Sequence, residues 1–168
     1  MKFSTKKIID NQRGVTMMEL LLAITILTVL VTSSIIILRP EEKKAKTRDS
    51  RRLTDIATLD RVINEYLLDY SDYPDLFDVL RDSTSLPGTS VSLDNSAAGW
   101  IDEDLSEYTS RLPIDPINDA TYRYYYYHDD SGYEINAVFE YLTDEATNDG
   151  GDDINRYEMG NNLTLISP

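Results

Sequence analysis

Arg13-Gly14-Val15-Thr16-Met17-Met18-Glu19, followed without a break by Leu20 to Leu38 (LLLAITILTVLVTSSIIIL), is the stretch on which the fold turns. From Leu20 to Leu38 there is no charge, no proline and no glycine. As a helix this run spans about 28 Å at 1.5 Å per residue, close to the roughly 30 Å hydrocarbon core of a bilayer. Thr25, Thr28, Thr32, Ser33 and Ser34 suit that solvent, because each hydroxyl can bond a carbonyl one turn back. A buried helix of a soluble protein would need wrapping on every side, and the remaining chain is too small to provide it. An ordinary secretory signal peptide does not fit either. The run is too long for a typical h-region, and no small-x-small cleavage site follows it. Glu19 stands one residue outside the run, where a carboxylate is costly in a bilayer and needs a partner.

Charge is segregated around this rod. The chain of 168 residues carries 16 Lys and Arg against 30 Asp and Glu, a net charge of -14. Residues 1–14 hold Lys2, Lys6, Lys7 and Arg13 against Asp10. Residues 39–61 hold eight basic side chains against five acidic ones. From Val62 onward four arginines stand against 23 acids. The order is a basic head, an apolar rod, a basic neck and a strongly acidic body. Such a body argues against nucleic acid as its partner. The chain has no cysteine, which excludes disulfides, thiolate zinc sites and cysteine nucleophiles. One histidine, His128, excludes multi-histidine metal sites. It reads as isolated on a hairpin turn, with no nucleophile–base spacing or phosphate loop nearby, so no catalysis is expected.

Beyond Pro40 the periodicity changes. Leu53, Ile56, Leu59, Ile63, Tyr66, Leu67 and Tyr70 recur every three or four residues. Arg48, Arg51, Arg52, Asp55, Asp60 and Arg61 fill much of the opposite side, giving an amphipathic helix. Pro40 predicts a kink or interruption between rod and amphipathic half, and Tyr73-Pro74 ends the helix. Asp75 to Asp82 reads as a short helix with Leu76, Val79 and Leu80 inward, and Ser83 to Gly99 as a loop. The two prolines in Leu112-Pro113-Ile114-Asp115-Pro116 make that segment extended or turning. Tyr122 to Tyr127 predicts a strand, Asp129-Asp130-Ser131-Gly132 a turn, and Tyr133, Ile135, Ala137, Phe139 and Tyr141 a second strand. These apolar positions alternate with Glu134, Asn136 and Glu140, so the hairpin has an apolar face to lay on the helix. Half the rings of Tyr124 to Tyr127 then face the core rather than a ligand. Leu163 to Ile166 reads as a third strand. Asn148-Asp149-Gly150-Gly151-Asp152-Asp153 is the one stretch with metal chemistry. Its carboxylate and amide oxygens on a glycine-containing turn suit a hard cation such as Ca²⁺, with Asn148, Asp149, Asp152 and Asp153 as candidate ligands.

Residues 13–24 resemble the N-terminal processing motif of type IV pilins and type II secretion pseudopilins. In that family a short basic leader ends in glycine, the next residue becomes the N-methylated mature terminus, and a glutamate holds the fifth mature place. Here Gly14 closes the leader, Val15 replaces the usual Phe or Met, and Glu19 falls in the fifth place. The resemblance implies an α+β pilin-like fold: a long N-terminal helix, transmembrane in its first half and amphipathic in its second, packed on a small antiparallel sheet. It divides the chain into a cytoplasmic leader (1–14), a transmembrane and filament-core helix (15–38), the amphipathic half (39–70) and an acidic β-containing domain (71–168). It implies prepilin peptidase, an inner-membrane assembly platform, membrane lipid, minor pilins and copies of the chain itself as partners. Glu19 would meet the Val15 amine of a neighbour. Major pseudopilins also carry an acidic glycine-rich loop that binds calcium, similar to residues 148–153. The body would lie outside the cytoplasmic membrane, then in a surface pilus or an envelope pseudopilus. The Lys and Arg count alone, seven from Arg39 to Arg52 against four in the leader, favours the opposite orientation. The neck basics suit anionic head groups or the acidic bodies of neighbours. The other class these residues fit is a single-pass anchored extracytoplasmic binding domain that never polymerises.

Overall fold

The computed structural model describes residues 14–85 and 93–167. Residues 1–13 of the predicted leader and residues 86–92 of the predicted loop lie outside the described residues. The chain divides into two compact units, Met1–Pro40 and Glu41–Pro168.

The described part of the first unit is one helix, α1 (Met17–Leu38). Thr16 is its N-cap, in extended conformation, and its hydroxyl accepts from Glu19 N at 3.2 Å. This satisfies one of the amide donors a helix start leaves unpaired. The hydroxyls of Thr25, Thr28, Thr32, Ser33 and Ser34 donate to carbonyls three or four residues back, at 2.7–2.8 Å. All five are thereby spent inside the helix, as the sequence required of a rod for an apolar solvent. Helical backbone stops at Arg39, whose φ of 38° is left-handed, and resumes at Pro40. Proline disfavours helical conformation in the residue before it and is well placed at the first position of a helix. The interruption predicted at Pro40 is realised at Arg39.

The second unit begins with α2 (Pro40–Tyr70), followed by β1 (Arg81–Asp82), β2 (Tyr124–Asp129), β3 (Gly132–Val138), α3 (Thr143–Thr147) and β4 (Arg156–Gly160). The four strands form one antiparallel sheet in the order β1-β2-β3-β4. Ile56, Leu59, Val62 and Ile63 of α2 are fully buried against Tyr124, Tyr126, Tyr133, Ile135 and Ala137 of the sheet. Each such aliphatic side chain contributes about 1.5–3 kcal/mol by leaving water. Trp100, Ile101, Leu105 and Leu112 of the β1–β2 connection complete this core, the indole donating to Pro113 O at 2.9 Å. Tyr124 and Tyr133 also reach α2 through their hydroxyls, which donate to Asp55 and Asp60. The β2–β3 hairpin turns through Asp130-Ser131, closed by Gly132 at φ 147°. A Cβ there would also lie 2.2 Å from Asn161 Oδ1, so this glycine is required on two counts.

Several expectations are overturned. Asp75 to Asp82 is not a helix, and Leu76 and Leu80 are more than half exposed. Asp75 and Asp78 take left-handed conformations, and the Asp75 carboxylate accepts from Leu76 N, Asp102 N and Arg81. Local acceptors of this kind compete with helix formation. The third hairpin-side strand is Arg156–Gly160, not Leu163 to Ile166. The latter runs over the sheet and donates Leu165 N and Ile166 N to Glu134 Oε2 at 2.8 and 2.9 Å. His128 lies within β2 rather than on the turn, 2% exposed among the rings of Tyr73, Phe77 and Tyr126. Arg52, read as part of the polar face of α2, is fully buried.

Candidate functional site

The first candidate is the stretch Gly14 to Glu19. Gly14 is exposed, a Cβ on it would meet none of the described residues within 4 Å, and Val15 is 70% exposed. Glu19 sits in the first turn of α1, where the helix dipole favours an anion. Among the described residues its carboxylate has no hydrogen-bond or ion-pair partner. Behind it, the apolar side chains from Leu20 to Ile35 are each 50–64% exposed. Apolar surface therefore surrounds the helix rather than forming a stripe. This is the pattern of a helix that lies in lipid or among other apolar helices. The helix is long and apolar enough to cross a membrane.

The second candidate is the loop after α3. Here the oxygens of two of the four sequence-selected residues, Asp149 and Asp153, are already engaged. Asp149 accepts from Gly151 N at 2.9 Å with one oxygen and from Glu158 N at 2.7 Å with the other. Asp153 accepts from Asn155 N at 2.9 Å and pairs with Arg156 at 3.1 Å. Asn148 donates its amide to Asp144 O at 2.6 Å, and Asp152 is exposed. Asn148, Asp149 and Asp153 are thus held by the groups around them, Asp153 partly by the Arg156 side chain. Among the described residues no group of three or more His, Asp or Glu is arranged to hold a metal ion.

Beneath this loop lies a cluster that the alternating sequence pattern did not single out. Glu134 and Asn136 of β3 and Glu158 of β4 share the sheet face turned away from α2, and all three are buried. Asn136 stands directly opposite Glu158 in the ladder. Glu134 Oε1 accepts from Asn136 Nδ2 at 3.3 Å. Glu158 Oε2 accepts from Asp153 N at 3.2 Å. Among the described residues no N–H or hydroxyl donor reaches Glu158 Oε1 or Asn136 Oδ1. Burial, and then the neighbouring Glu134 carboxylate, push the Glu158 carboxyl well above the usual carboxylate range, against the Asp153 amide. An open depression of about 570 Å³, lined in part by Leu53, Asp144, Asn148 and Asp149, reaches Glu158 but neither Glu134 nor Asn136.

The body's third charged cluster is structural. Arg52 donates to Asp115 at 2.6 and 3.0 Å, to Asp49 at 2.7 Å and to Glu140 at 2.7 Å. Asp49 in turn accepts the backbone amides of Glu140, Tyr141 and Leu142. Arg48 makes a two-pronged pair with Glu140 and, with Arg52, holds its carboxyl below the usual range. Two of the neck basics are thus bound by the body's own acids.

The family model described as "Prokaryotic N-terminal methylation motif" matches residues 9–35, which contain Gly14, Val15, Glu19 and most of α1. The chain is 31% identical over 107 residues to the type II secretion system core protein G of Escherichia coli (strain K12). That match covers 64% of this chain and 68% of the relative. No solved structure gives a significant match. With the motif in register at the start of an all-apolar helix, and an α2-on-sheet body behind it, the chain belongs to the family of type IV pilins and type II secretion pseudopilins, whose members are structural subunits and not enzymes.

Proposed function

We propose that this chain is made as a membrane-anchored precursor, cut after Gly14 by prepilin peptidase, and assembled into a helical pseudopilus of a type II secretion system. The observation that carries this reading is α1, exposed and apolar on every side, with one carboxylate in its first turn directly behind Gly14-Val15. Such a helix is at home in a bilayer before assembly and among copies of itself afterwards. In both places no water remains to solvate its side chains. In the precursor Glu19 lies at the edge of the run. In a filament the new Val15 amine of one subunit supplies the cation that the Glu19 of another requires, because a lone charge in an apolar bundle is expensive. Head-to-tail contacts of this kind propagate without closing.

The relative's name favours a secretion pseudopilus over an adhesive or motile pilus. It also supports an inner-membrane assembly platform and other pilins as partners. The leader would remain cytoplasmic and the acidic body would face the envelope, so that bodies form the outer surface of the fibre. Arg48 and Arg52 are engaged by Glu140, Asp49 and Asp115, and Lys44 pairs with Glu41, so exposed Lys43 and Lys46 are among the neck residues open to anionic head groups.

Mass spectrometry of the membrane-extracted protein tests the reading. An N-methylated Val15 terminus supports it. A chain that still starts at Met1 in cells with active prepilin peptidase overturns it and leaves a single-pass anchored domain.

A further inference from the structure

We propose that three tyrosine rings at the C-terminal end of α2 form a pocket for an alkylammonium group, and that in the filament Lys43 of a second copy fills it. This contact depends on the assembly proposed above, since one chain alone cannot make it.

The pocket has a volume of about 190 Å³ and lies where α2 meets residues 103–108 of the β1–β2 connection. Its walls are Tyr66 and Tyr70, one turn apart on α2, and Tyr108. The Tyr66 and Tyr70 rings stack with centroids 4.5 Å apart, and the Tyr108 ring meets Tyr66 edge-on at 5.9 Å. Tyr66 shares a side-chain hydrogen bond with Glu103, and the Tyr108 hydroxyl donates to Asp69 at 2.9 Å. These bonds hold the rings in place. Glu103, Asp104 and Glu107 line the remainder of the pocket with Ser106, and no basic side chain lines it. Nearby Arg61 is committed to Glu65 at 2.6 Å and to Tyr108 O at 3.3 Å. Aromatic faces carry partial negative charge and attract a cation within about 6 Å, and the three carboxylates add to that attraction. The volume is below the roughly 300–1,000 Å³ of sites for drug-sized ligands, so the pocket suits one side chain.

Charge and distance choose the occupant. Outside the predicted leader the chain's lysines are Lys43, Lys44 and Lys46, all in the neck. Lys44 pairs with Glu41 at 2.9 Å, and the Lys46 ammonium lies 6.0 Å from the Tyr141 ring centroid. Lys43 is exposed, and among the described residues its ammonium has no carboxylate partner. A compact charge on a slim, flexible stem suits a narrow pocket. Lys43 and Tyr66 stand on one helix, about 35 Å apart at 1.5 Å per residue, farther than a side chain reaches. A chain therefore cannot fill its own pocket, whereas a copy displaced along the fibre by that distance can. Each copy offers one such lysine and one pocket, so the contact repeats without closing. Lys43 would exchange lipid head groups for this pocket as the subunit leaves the bilayer.

The test uses the full-length wild-type chain, assembled into filaments seen by electron microscopy and then treated with a carbodiimide. The reagent joins a lysine amine to a carboxylate in contact with it. Mass spectrometry is expected to find Lys43 joined to Glu103, Asp104 or Glu107 in filaments, and no such link in detergent-dispersed subunits. Tyr70→Leu removes a ring that is 60% exposed and is expected to lower the yield of the link about two- to fivefold. Lys43→Glu is expected to cut filament yield at least about tenfold through like-charge contact, with the body's Tm within about 1 °C of the wild type. Adding Glu107→Lys to it is expected to recover most of that yield. Filaments in which Lys43 carries no link to the three acids overturn the contact and leave assembly standing. A Lys43→Glu chain that assembles as the wild type does also overturns it. Binding of tetramethylammonium chloride to the dispersed subunit, with no Lys43 link in filaments, overturns it in favour of a lipid head group. A wild type that makes no filaments overturns the proposed function, and this contact with it.

Discussion

Around α1, leucine, isoleucine and valine side chains are exposed on every side from Leu20 to Ile35, while every threonine and serine hydroxyl on it turns back to its own backbone. The second unit does the reverse. It encloses Asp49, Arg52, Asp115, Glu134 and Glu158 and carries most of the chain's acids at its surface. The two halves are written for different solvents. A helix that satisfies its polar groups internally asks its surroundings for apolar contact only. A domain that buries ionisable groups does so only where opposite charge, hydrogen-bond donors or a retained proton offset the loss of water. The consequence is that a single charge change has opposite meanings in the two units. In the first it alters the surroundings the helix can accept. In the second it alters whether the domain holds together.

The largest expected effects test that contrast directly. Glu19→Ala should abolish filaments in an assembly assay read by electron microscopy, while the melting transition of the body stays within about 1 °C of the wild type. Arg52→Ala should do the opposite kind of damage. It leaves Asp49, Asp115 and Glu140 facing one another without their shared cation. Breaking a buried ion cluster in this way costs about 3–5 kcal/mol, a fall in Tm of about 10 °C or more for a unit of this size. If Glu19→Ala instead lowers the body's Tm as much as Arg52→Ala does, the separation of roles fails.

Arg52 also marks the limit of what could be read from the chain. The apolar period of α2 and the β2–β3 hairpin are local patterns, and the structure follows them, with strand boundaries shifted by about two residues at β2 and the second strand ending at Val138 rather than Tyr141; the Gly14–Glu19 stretch lies within the family model's match. The Arg52–Asp115 pair joins residues 63 apart, so no helical wheel could show that this arginine turns inward. The buried acids on β3 were hidden for a related reason. Alternation marks Glu134 and Asn136 as one face of a strand, but not whether that face is covered. Here Leu165, Ile166 and the Gly151 loop cover it, and both segments come from more than ten residues away in sequence. Trp100 and Leu105, fully buried, lie in a connection with no periodicity to reveal them. Asp75 to Asp82 looked helical by its apolar spacing. Side-chain acceptors on Asp75 and left-handed backbone at Asp75 and Asp78 decided otherwise.

Two intermediate effects sharpen the picture of the body. Gly151→Ala places a Cβ against Glu158 Oε2, so it should cost about 1–3 kcal/mol as the loop lifts from the sheet, seen as a lower Tm in thermal unfolding. The pH dependence should be governed in part by Glu140, whose carboxyl the Arg48 bond holds below its ordinary value of 4.5. A depressed carboxylate stabilises the folded state above its unfolded value, and that contribution is lost as pH falls through the folded one. Stability should therefore decline below about pH 4.5. In Arg48→Met this part of the decline should be smaller, since less of the depression remains to be lost. A pH profile of Tm for the two proteins checks it.

The smallest effect is expected one residue from the largest. Arg51 is half exposed and meets Asp55 at 3.4 Å across one turn of α2. Arg51→Ala should cost no more than about 0.5 kcal/mol, the usual worth of such a pair in water. Asp55 is not stranded by the change, because it still accepts the Tyr124 hydroxyl at 2.9 Å. Combining Arg51→Ala with Arg52→Ala should give the sum of the two losses, since the residues share no carboxylate: Arg51 uses Asp55, whereas Arg52 uses Asp49, Asp115 and Glu140. A coupling well above about 0.5 kcal/mol in the double-mutant cycle would mean that the exposed and enclosed charges of α2 form one network. The boundary between outward-facing and enclosed charge would then not run between these two neighbours.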